Sequence, residues 1–340
     1  EKGLNPELPY EYNLASEYGM AVTYSKSYPE NIVQKFVRLG FRAILGFDIV
    51  HAWRNRVQLM KSDIVWTHTE TQALAVCLLR RLMRQKTLRP ALIAQSIWLF
   101  DNWARLPFYK KNLYRWLLAR ADVLTVHSPL NKGLAQQLFP QSRVEIVRYG
   151  IKVNFPSFSK TSPVGRKTRV VSIGNDRHRD WATLLAALND APDIDVRIAT
   201  PLKLTGVATN VAVKKRSSKA EILDLYEWAD VVVLALKPNL HASGLTVTEE
   251  SAMLGVPVIC TKVGGIDYYF RDGEVYYVEP SQPNQLIEAV RKIARDDTLR
   301  QSLIDSSKRR LIEAGLTSRD FVKKHVDLSR EVLGLEPLSL

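Results

Sequence analysis

The chain has 340 residues, of which 46% are hydrophobic and 24% charged, and a formal net charge of +13. That length exceeds one ordinary core and suits two domains of about 150 residues each. The composition is that of a water-soluble globular chain; no uncharged apolar run reaches the ~18 residues of a membrane span, and two distant cysteines, Cys77 and Cys260, make neither a disulfide framework nor a metal framework.

Short apolar runs alternate with helical stretches along the chain, the pattern of a parallel sheet wrapped by helices. In the first half strands are expected at Met20–Ser25, Asp48–Trp53, Asp63–His68, Ala91–Ile97, Val123–His127 and Glu145–Arg148. Helices are expected at Thr71–Gln85, Lys110–Ala119 and Asn131–Leu138. The stretch Ile151–Lys167, with Pro156, Pro163, Gly165 and several hydroxyl residues, reads as a linker. Beyond it, strands are expected at Arg169–Ile173, Asp195–Ala199, Val211–Val213, Val231–Leu234, Val256–Thr261 and Val275–Val278. Helices are expected at Trp181–Leu188, Lys219–Trp228, Thr246–Leu254, Asn284–Ala294, Thr298–Ala314 and Ser318–Val332. The fold class is therefore α/β, with two Rossmann-like doubly wound domains, residues 1–152 and 153–317. The sequence starts at Glu1, not Met, which leaves a trimmed N-terminus open.

Charge is unevenly placed. Residues 1–150 carry 21 Lys+Arg against 11 Asp+Glu, a net +10. Within 80–120 the basic residues are Arg80, Arg81, Arg84, Lys86, Arg89, Arg105, Lys110, Lys111, Arg115 and Arg120, opposed by Asp101. Aromatic residues Trp98, Trp103, Phe108, Tyr109, Tyr114 and Trp116 lie among them. Such a patch suits a polyanionic neighbour, or else a solvated face with no partner. No zinc finger, RNA-recognition signature or isolated basic helix accompanies it, so nucleic acid is not the expected partner.

Ligands of open α/β sheets bind at the carboxyl ends of strands. Two loops there stand out. One is Gly174-Asn-Asp-Arg-His-Arg-Asp-Trp181, where Arg177 and Arg179 offer planar forks to phosphate oxygens just before a helix. The other is His241-Ala-Ser-Gly-Leu-Thr246, which opens onto a helix ending at Gly255. The amides of Ser243, Gly244, Leu245 and Thr246, together with the helix dipole, suit an anion. Glu250, about one turn in, suits the two hydroxyls of a ribose. Its neighbour Glu249 points about 100° away, so only one of the two faces the site.

This second stretch resembles the donor-site signature of GT-B glycosyltransferases of family 4, Glu-x7-Glu-Ala-x-Ala-x-Gly-x-Pro-Val-Ile. Gly255 and Pro257 set the register: Glu250 falls on the second Glu and Ala242 on the first, which in the family touches the donor sugar. A His-Ala-Ser-Gly-Leu-Thr version occurs in bacterial polysaccharide transferases. The family has Gly-Arg…Lys-Gly where this chain has Gly174, Arg177 and Arg179, and its basic residues hold a diphosphate. The resemblance implies a GT-B fold with the two domains facing across a cleft, an N-terminal acceptor domain, a C-terminal nucleotide-sugar domain, and a final helix, 318–334, crossing back to the first domain. It implies a UDP- or GDP-sugar donor and no other cofactor. With no metal-ligand spacing in the sequence, no metal is expected. A GT-B sugar-nucleotide epimerase is one alternative, and a nucleic-acid-binding protein is the alternative of a different class.

In the first domain Asp101 follows the strand Ala91–Ile97 amid Trp98, Phe100 and Trp103. Desolvation there would make it a better base, as an inverting transfer needs, and some inverting GT-B enzymes of exopolysaccharide assembly place an Asp after the matching strand. A helix cap or a pair with Arg105 is its other reading. His68 and Glu70, at another strand end, read as acceptor ligands or an acid–base pair; Arg54 and Asn55 are weaker candidates. The basic, aromatic stretch predicts a peripheral protein on the cytoplasmic face of the cell membrane, held by anionic lipid and extending a polyprenyl-diphosphate-linked saccharide.

Overall fold

Runs such as Ala91–Gln95, Val123–Val126, Val231–Leu234 and Val258–Thr261 are buried at every position. Strands covered on both faces need no polar alternation, which is why they read as continuous apolar runs. The structure is a computed structural model that describes residues 9–83, 90–153, 157–159, 163–215 and 218–338. It divides into two units.

The first unit holds Tyr12–Arg148 and the stretch from Phe321 onward. Its elements are α1 (Ile32–Leu45), α2 (Ile49–Arg54), α3 (Arg56–Lys61), β1 (Ile64–Thr67), α4 (Glu70–Leu82), β2 (Ala91–Gln95), α5 (Leu99–Asn102), α6 (Phe108–Leu118), β3 (Val123–Val126), α7 (Pro129–Leu138) and β4 (Val144–Ile146). The strands form one parallel sheet in the order β1-β2-β3-β4. Cys77, on α4, is a buried free thiol pushed up to about 12 by desolvation.

The second unit holds Tyr149–Asp320 with residues 9–11. It contains β5 (Thr168–Ile173), α8 (Trp181–Leu188), β6 (Ile194–Ala199), β7 (Val211–Lys214), α9 (Lys219–Trp228), β8 (Val231–Leu234), α10 (Leu245–Leu254), β9 (Val258–Thr261), β10 (Tyr276–Val278), α11 (Pro283–Arg295) and α12 (Asp297–Glu313). The all-parallel sheet has the order β10-β9-β8-β5-β6-β7. Leu184 and Leu188 of α8 and Leu286 and Val290 of α11 share one buried cluster with Val170, Val196, Val231 and Ile259 of the sheet. Strand order reverses between β5 and β8, and that reversal is where open α/β sheets leave a binding crevice. The last helix, α13 (Ser318–Leu333), begins in the second unit and runs within the first.

Three expectations are corrected. Asp48–Trp53 is not a strand: Asp48 Oδ1 accepts from the His51 amide at 3.0 Å, and Ile49 and Ala52, one helical turn apart, are the buried residues of α2. Met20–Ser25 forms no strand either. Side chains stand where a neighbouring strand would be: Gln58 Nε2 donates to Tyr24 O at 3.1 Å, and Asn55 both accepts from Lys26 N at 2.8 Å and donates to Lys26 O at 3.1 Å. Residues 32–45, given no element from sequence, form the helix α1, with a capping box between Asn31 and Gln34 and Gly46 as its left-handed C-cap. Of the helix expected at Thr71–Gln85, residues 84 and 85 lie outside the described residues, as do 154–156 and 160–162 of the expected linker.

Candidate functional site

The reversal point of the second sheet is lined by two loops, 174–180 after β5 and 235–244 after β8. They are laced together by their backbones: Asp180 N donates to Ala235 O at 2.8 Å and Lys237 N to His178 O at 2.8 Å, with an antiparallel bridge between Arg179 and Leu236. Three sequence candidates meet here: Gly174, Arg179 and Gly244. Arg179 is 6% exposed. A Cβ on Gly174 would lie 2.1 Å from its Nε, and one on Gly244 would lie 2.8 Å from an Nη. Both glycines have positive φ, 153° and 90°. The two thus form a cradle that any side chain would fill, and the buried guanidinium occupies it. Arg177, by contrast, is exposed.

The loop before α10 is ordered by a residue the sequence reading passed over. Asp176 accepts from His241 Nε2 at 2.8 Å, from Ser243 Oγ at 2.6 Å and from the His178 amide at 3.1 Å. Burial alone would raise its carboxyl, yet the hydrogen bonds from His241 and Ser243 outweigh it and hold Asp176 well below the usual carboxylate range. The His178 and His241 rings stand 5.0 Å apart on this carboxylate. Asn239 Oδ1 accepts from the Ser243 amide at 3.0 Å, and Ala242 N donates to Gly264 O at 3.0 Å. Both the amide and the hydroxyl of Ser243 are therefore used inside the loop, and Ala242 adopts a left-handed φ of 53°. Gly244 caps α10 with no side-chain hydrogen bond to the helix, and Leu245 opens it with its amide on Ala242 O at 3.2 Å. Thr246, half-exposed, follows; of ten helical residues it alone is not buried.

Glu250 is 2% exposed and accepts from the hydroxyl of Tyr226, on α9, at 2.8 Å. Tyr226 is itself fully buried, and its hydroxyl is raised well above its ordinary value by desolvation first and then by the Glu250 charge; Arg179 acts on it in the opposite sense. Arg179, Tyr226 and Glu250 thus form one electrostatic group. Glu249 differs from its neighbour: it is 0% exposed, and among the described residues neither carboxylate oxygen has a hydrogen-bond partner. Desolvation, with the Glu250 charge second, raises it well above its ordinary value, which favours its neutral form. Cys260, on β9, is a buried free thiol pushed up to about 12 by burial.

In the first unit the candidates lie at the carboxyl ends of β1 and β2. The Glu70 carboxylate accepts the amides of Ile97 at 3.1 Å and Trp98 at 3.4 Å, which ties down the loop after β2. His68 Nδ1 lies 3.1 Å from Gln95 Nε2, an amide that also donates to His68 O at 2.9 Å. Burial, and then the charges of His127 and His325, push His68 well below its ordinary 6.5. It is a neutral imidazole whose Nδ1 accepts, so Nε2 carries the proton. Glu70 and His68 are thus separately engaged. Asp101 lies half-buried on α5 between the buried Phe100 and Trp103. Arg54 is ion-paired with Glu30 at 2.7 Å, and Asn55 is buried.

The basic stretch is only partly a surface. Arg84, Lys86 and Arg89 lie outside the described residues. Arg80 is buried and ion-paired with Asp122 at 3.2 Å, and Trp103 and Tyr114 belong to the core. Arg105, Arg115 and Arg120 are exposed, as are Trp98, Phe108, Tyr109 and Trp116; Arg81 stacks 3.5 Å from the Trp116 ring centroid.

Residues 197–310 match the family described as glycosyl transferases group 1. The chain is similar to the D-inositol 3-phosphate glycosyltransferase of Corynebacterium diphtheriae, at 25% identity over 55% of this chain and 51% of that one, so it spans about half the length of that relative. Its fold is similar to that of sucrose-phosphate synthase from Thermosynechococcus elongatus, with a TM-score of 0.69 at 17% identity, covering 87% of this chain and 80% of that one. It is also similar to Anabaena HepE solved in complex with UDP-glucose, with a TM-score of 0.64 at 14% identity, covering 83% and 82%. Two Rossmann-like α/β units with these likenesses are the GT-B fold.

Proposed function

We propose that the chain is a sugar-nucleotide-dependent glycosyltransferase whose donor site is the reversal point between β5 and β8. The observation that carries this reading is the Arg179 guanidinium, buried between Gly174 and Gly244 at the start of α10. A cation and a helix N-terminus at one point suit a diphosphate, and the Glu250–Tyr226 pair on the same helix suits a ribose diol. The family match over 197–310 covers α10, and the relatives it resembles include a glycosyltransferase and a protein solved with UDP-glucose. The donor is a UDP- or GDP-sugar. Arg179, with Arg177 and the α10 amides, offsets charge developing on the leaving diphosphate, and in this reading no metal is required. The bond from the anomeric carbon to the diphosphate breaks as the acceptor oxygen bonds to that carbon. In an inverting reaction the acceptor proton passes to Asp101, while the His68 Nε2–H donates to an acceptor oxygen. The exposed cations of the first unit fit a lipid-linked saccharide diphosphate as acceptor, at the cytoplasmic face of a membrane, in the assembly of a bacterial polysaccharide.

Thermal-shift and calorimetric titration with UDP, GDP and ADP and their sugars tests this directly. One base should stabilise the protein, and Arg179→Ala and Glu250→Ala should each weaken its binding by about 1.5–3 kcal/mol. Asp101→Asn should bind the nucleotide normally and lose turnover. No binding of any nucleotide, or unchanged binding in both donor-site variants, rejects the assignment.

A further inference from the structure

Helix α1 is turned inside out. At about 100° per residue, Ile32, Val33, Phe36, Val37, Gly40 and Ile44 share one side, and Gln34, Lys35, Arg38 and Arg42 share the other. On a water-soluble protein the apolar side of such a helix faces the core. Here it is the polar side that holds the helix to the body: Arg38 pairs with Glu30 at 2.9 Å and Asp48 at 3.3 Å. The apolar side faces outward. Ile32 is 75% exposed, Val33 70%, Phe36 70%, Val37 50% and Ile44 65%, and no residue of the helix is buried.

The helix is nevertheless firmly placed. A capping box fixes its start, and its C-terminal carbonyls are gripped by α6: Tyr114 Oη donates to Leu45 O at 2.8 Å and Lys110 Nζ to Ala43 O at 3.1 Å. Tyr109 Oη reaches Ile44 O at 3.5 Å, so the exposed rings of Tyr109 and Phe108 continue the apolar stripe. Cations accompany it: Lys35 and Arg42 on the helix, and Lys110 beside it. The helix itself contains no acidic residue.

We propose that α1 is a membrane-surface helix, which lays Ile32, Val33, Phe36, Val37 and Ile44 into the headgroup–acyl boundary of an anionic bilayer while Lys35, Arg42 and Lys110 meet lipid phosphates. The inference rests on the surface-bound enzyme proposed above and names the element that binds. Charge decides the occupant. Residues 1–150 carry a net +10 and α1 has no acid, so a second copy would bring two such basic surfaces together, whereas an anionic surface complements them. Among the described residues no helix is long and apolar enough to cross a membrane. Lying in the interface is the arrangement open to a short amphipathic helix with a basic polar face.

The test is co-sedimentation of the full chain with vesicles of phosphatidylcholine alone or mixed with phosphatidylglycerol, at low and high salt, for the parent, Val33→Asp/Phe36→Asp and Lys35→Glu/Arg42→Glu. These side chains are exposed, and nucleotide binding measured on the same samples reports that the second unit and the donor-site reading are intact. The parent should bind the anionic vesicles, more weakly in salt, and the Val33/Phe36 variant should lose about tenfold or more of that affinity. The Lys35/Arg42 variant should lose its preference for anionic lipid. Binding by the Val33/Phe36 variant equal to the parent overturns the proposal. So does a parent that ignores vesicles, including one that elutes as a dimer dispersed by Val33→Asp/Phe36→Asp, since a second copy would then cover the face.

Discussion

At the residue scale, the two glutamates of α10 show how burial assigns opposite states to neighbours. Glu250 receives a hydroxyl; Glu249 receives nothing among the described residues, and its neutral form is favoured. A carboxyl whose folded value is raised ionises first in the unfolded chain. Its contribution to stability is therefore intact below its ordinary 4.5 and is lost as pH rises above it. Glu249→Met, which keeps the volume and removes the orphaned oxygens, should raise the melting temperature of the second unit at neutral pH, and the gain should shrink below about pH 4.5. Calorimetric melting at both pH values checks this; a constant gain would mean packing and not ionisation. The candidate donor motif was legible as a loop and helix because Gly255 and Pro257 fix a register, and Glu250 does lie on the helix α10. Asp176 was not legible, because its importance lies in what it receives from His241 and Ser243, more than sixty residues away. Tyr226 was hidden for the same reason: only folding brings α9 against α10.

At the element scale, strands buried on both faces and helices between them were readable from periodicity, so β5 to β10 fall where the apolar runs are. The failures cluster in residues 20–56, and they have a common cause. Apolar runs there do not enter a sheet. Ile49 and Ala52 face inward from a short helix, and the apolar side of α1 faces outward, so alternation and periodicity lose their usual meaning. Local capping chemistry carried the better signal: Asn31 with Gln34, Gly46, and Asp48. Asp48 serves twice, as the α2 cap and as a partner of Arg38. Asp48→Ala should cost about 1 kcal/mol and loosen the α1–α2 corner, while Asp48→Asn should keep the cap and recover much of that loss. Amide exchange at Ala52 and Trp53 reads the local effect; equal protection in both variants would show that the cap contributes nothing.

At the scale of the whole molecule, the chain returns to its first unit at the end. Phe321, Val322, Val326 and Leu328 of α13 are buried there, Trp66 Nε1 donates to Ser329 Oγ at 2.7 Å, and Tyr12 packs 5.8 Å from the Phe321 ring. The first unit's core is therefore completed by residues about 175 to 182 positions beyond its last strand. That core also contains an acid-labile element. His325 Nδ1 is bonded to Phe321 O at 2.9 Å, while its Nε2 is buried with no partner among the described residues. Burial lowers its pKa from 6.5 to about 4, against the opposing effect of that backbone bond, and His68 is lowered for the same reason. A histidine with a depressed folded value contributes stability above about pH 6.5 that disappears as the pH falls toward about 4. The first unit should thus weaken by a few kcal/mol over that window. His325→Leu should flatten the profile, with most of its benefit at the acid end, because it removes a site that the unfolded chain protonates and the folded chain resists. Five of the seven tryptophans lie in this unit, so urea unfolding followed by tryptophan fluorescence reports on it preferentially. A variant whose stability tracks the parent at every pH would place the acid sensitivity elsewhere, with His68 as the next residue to replace.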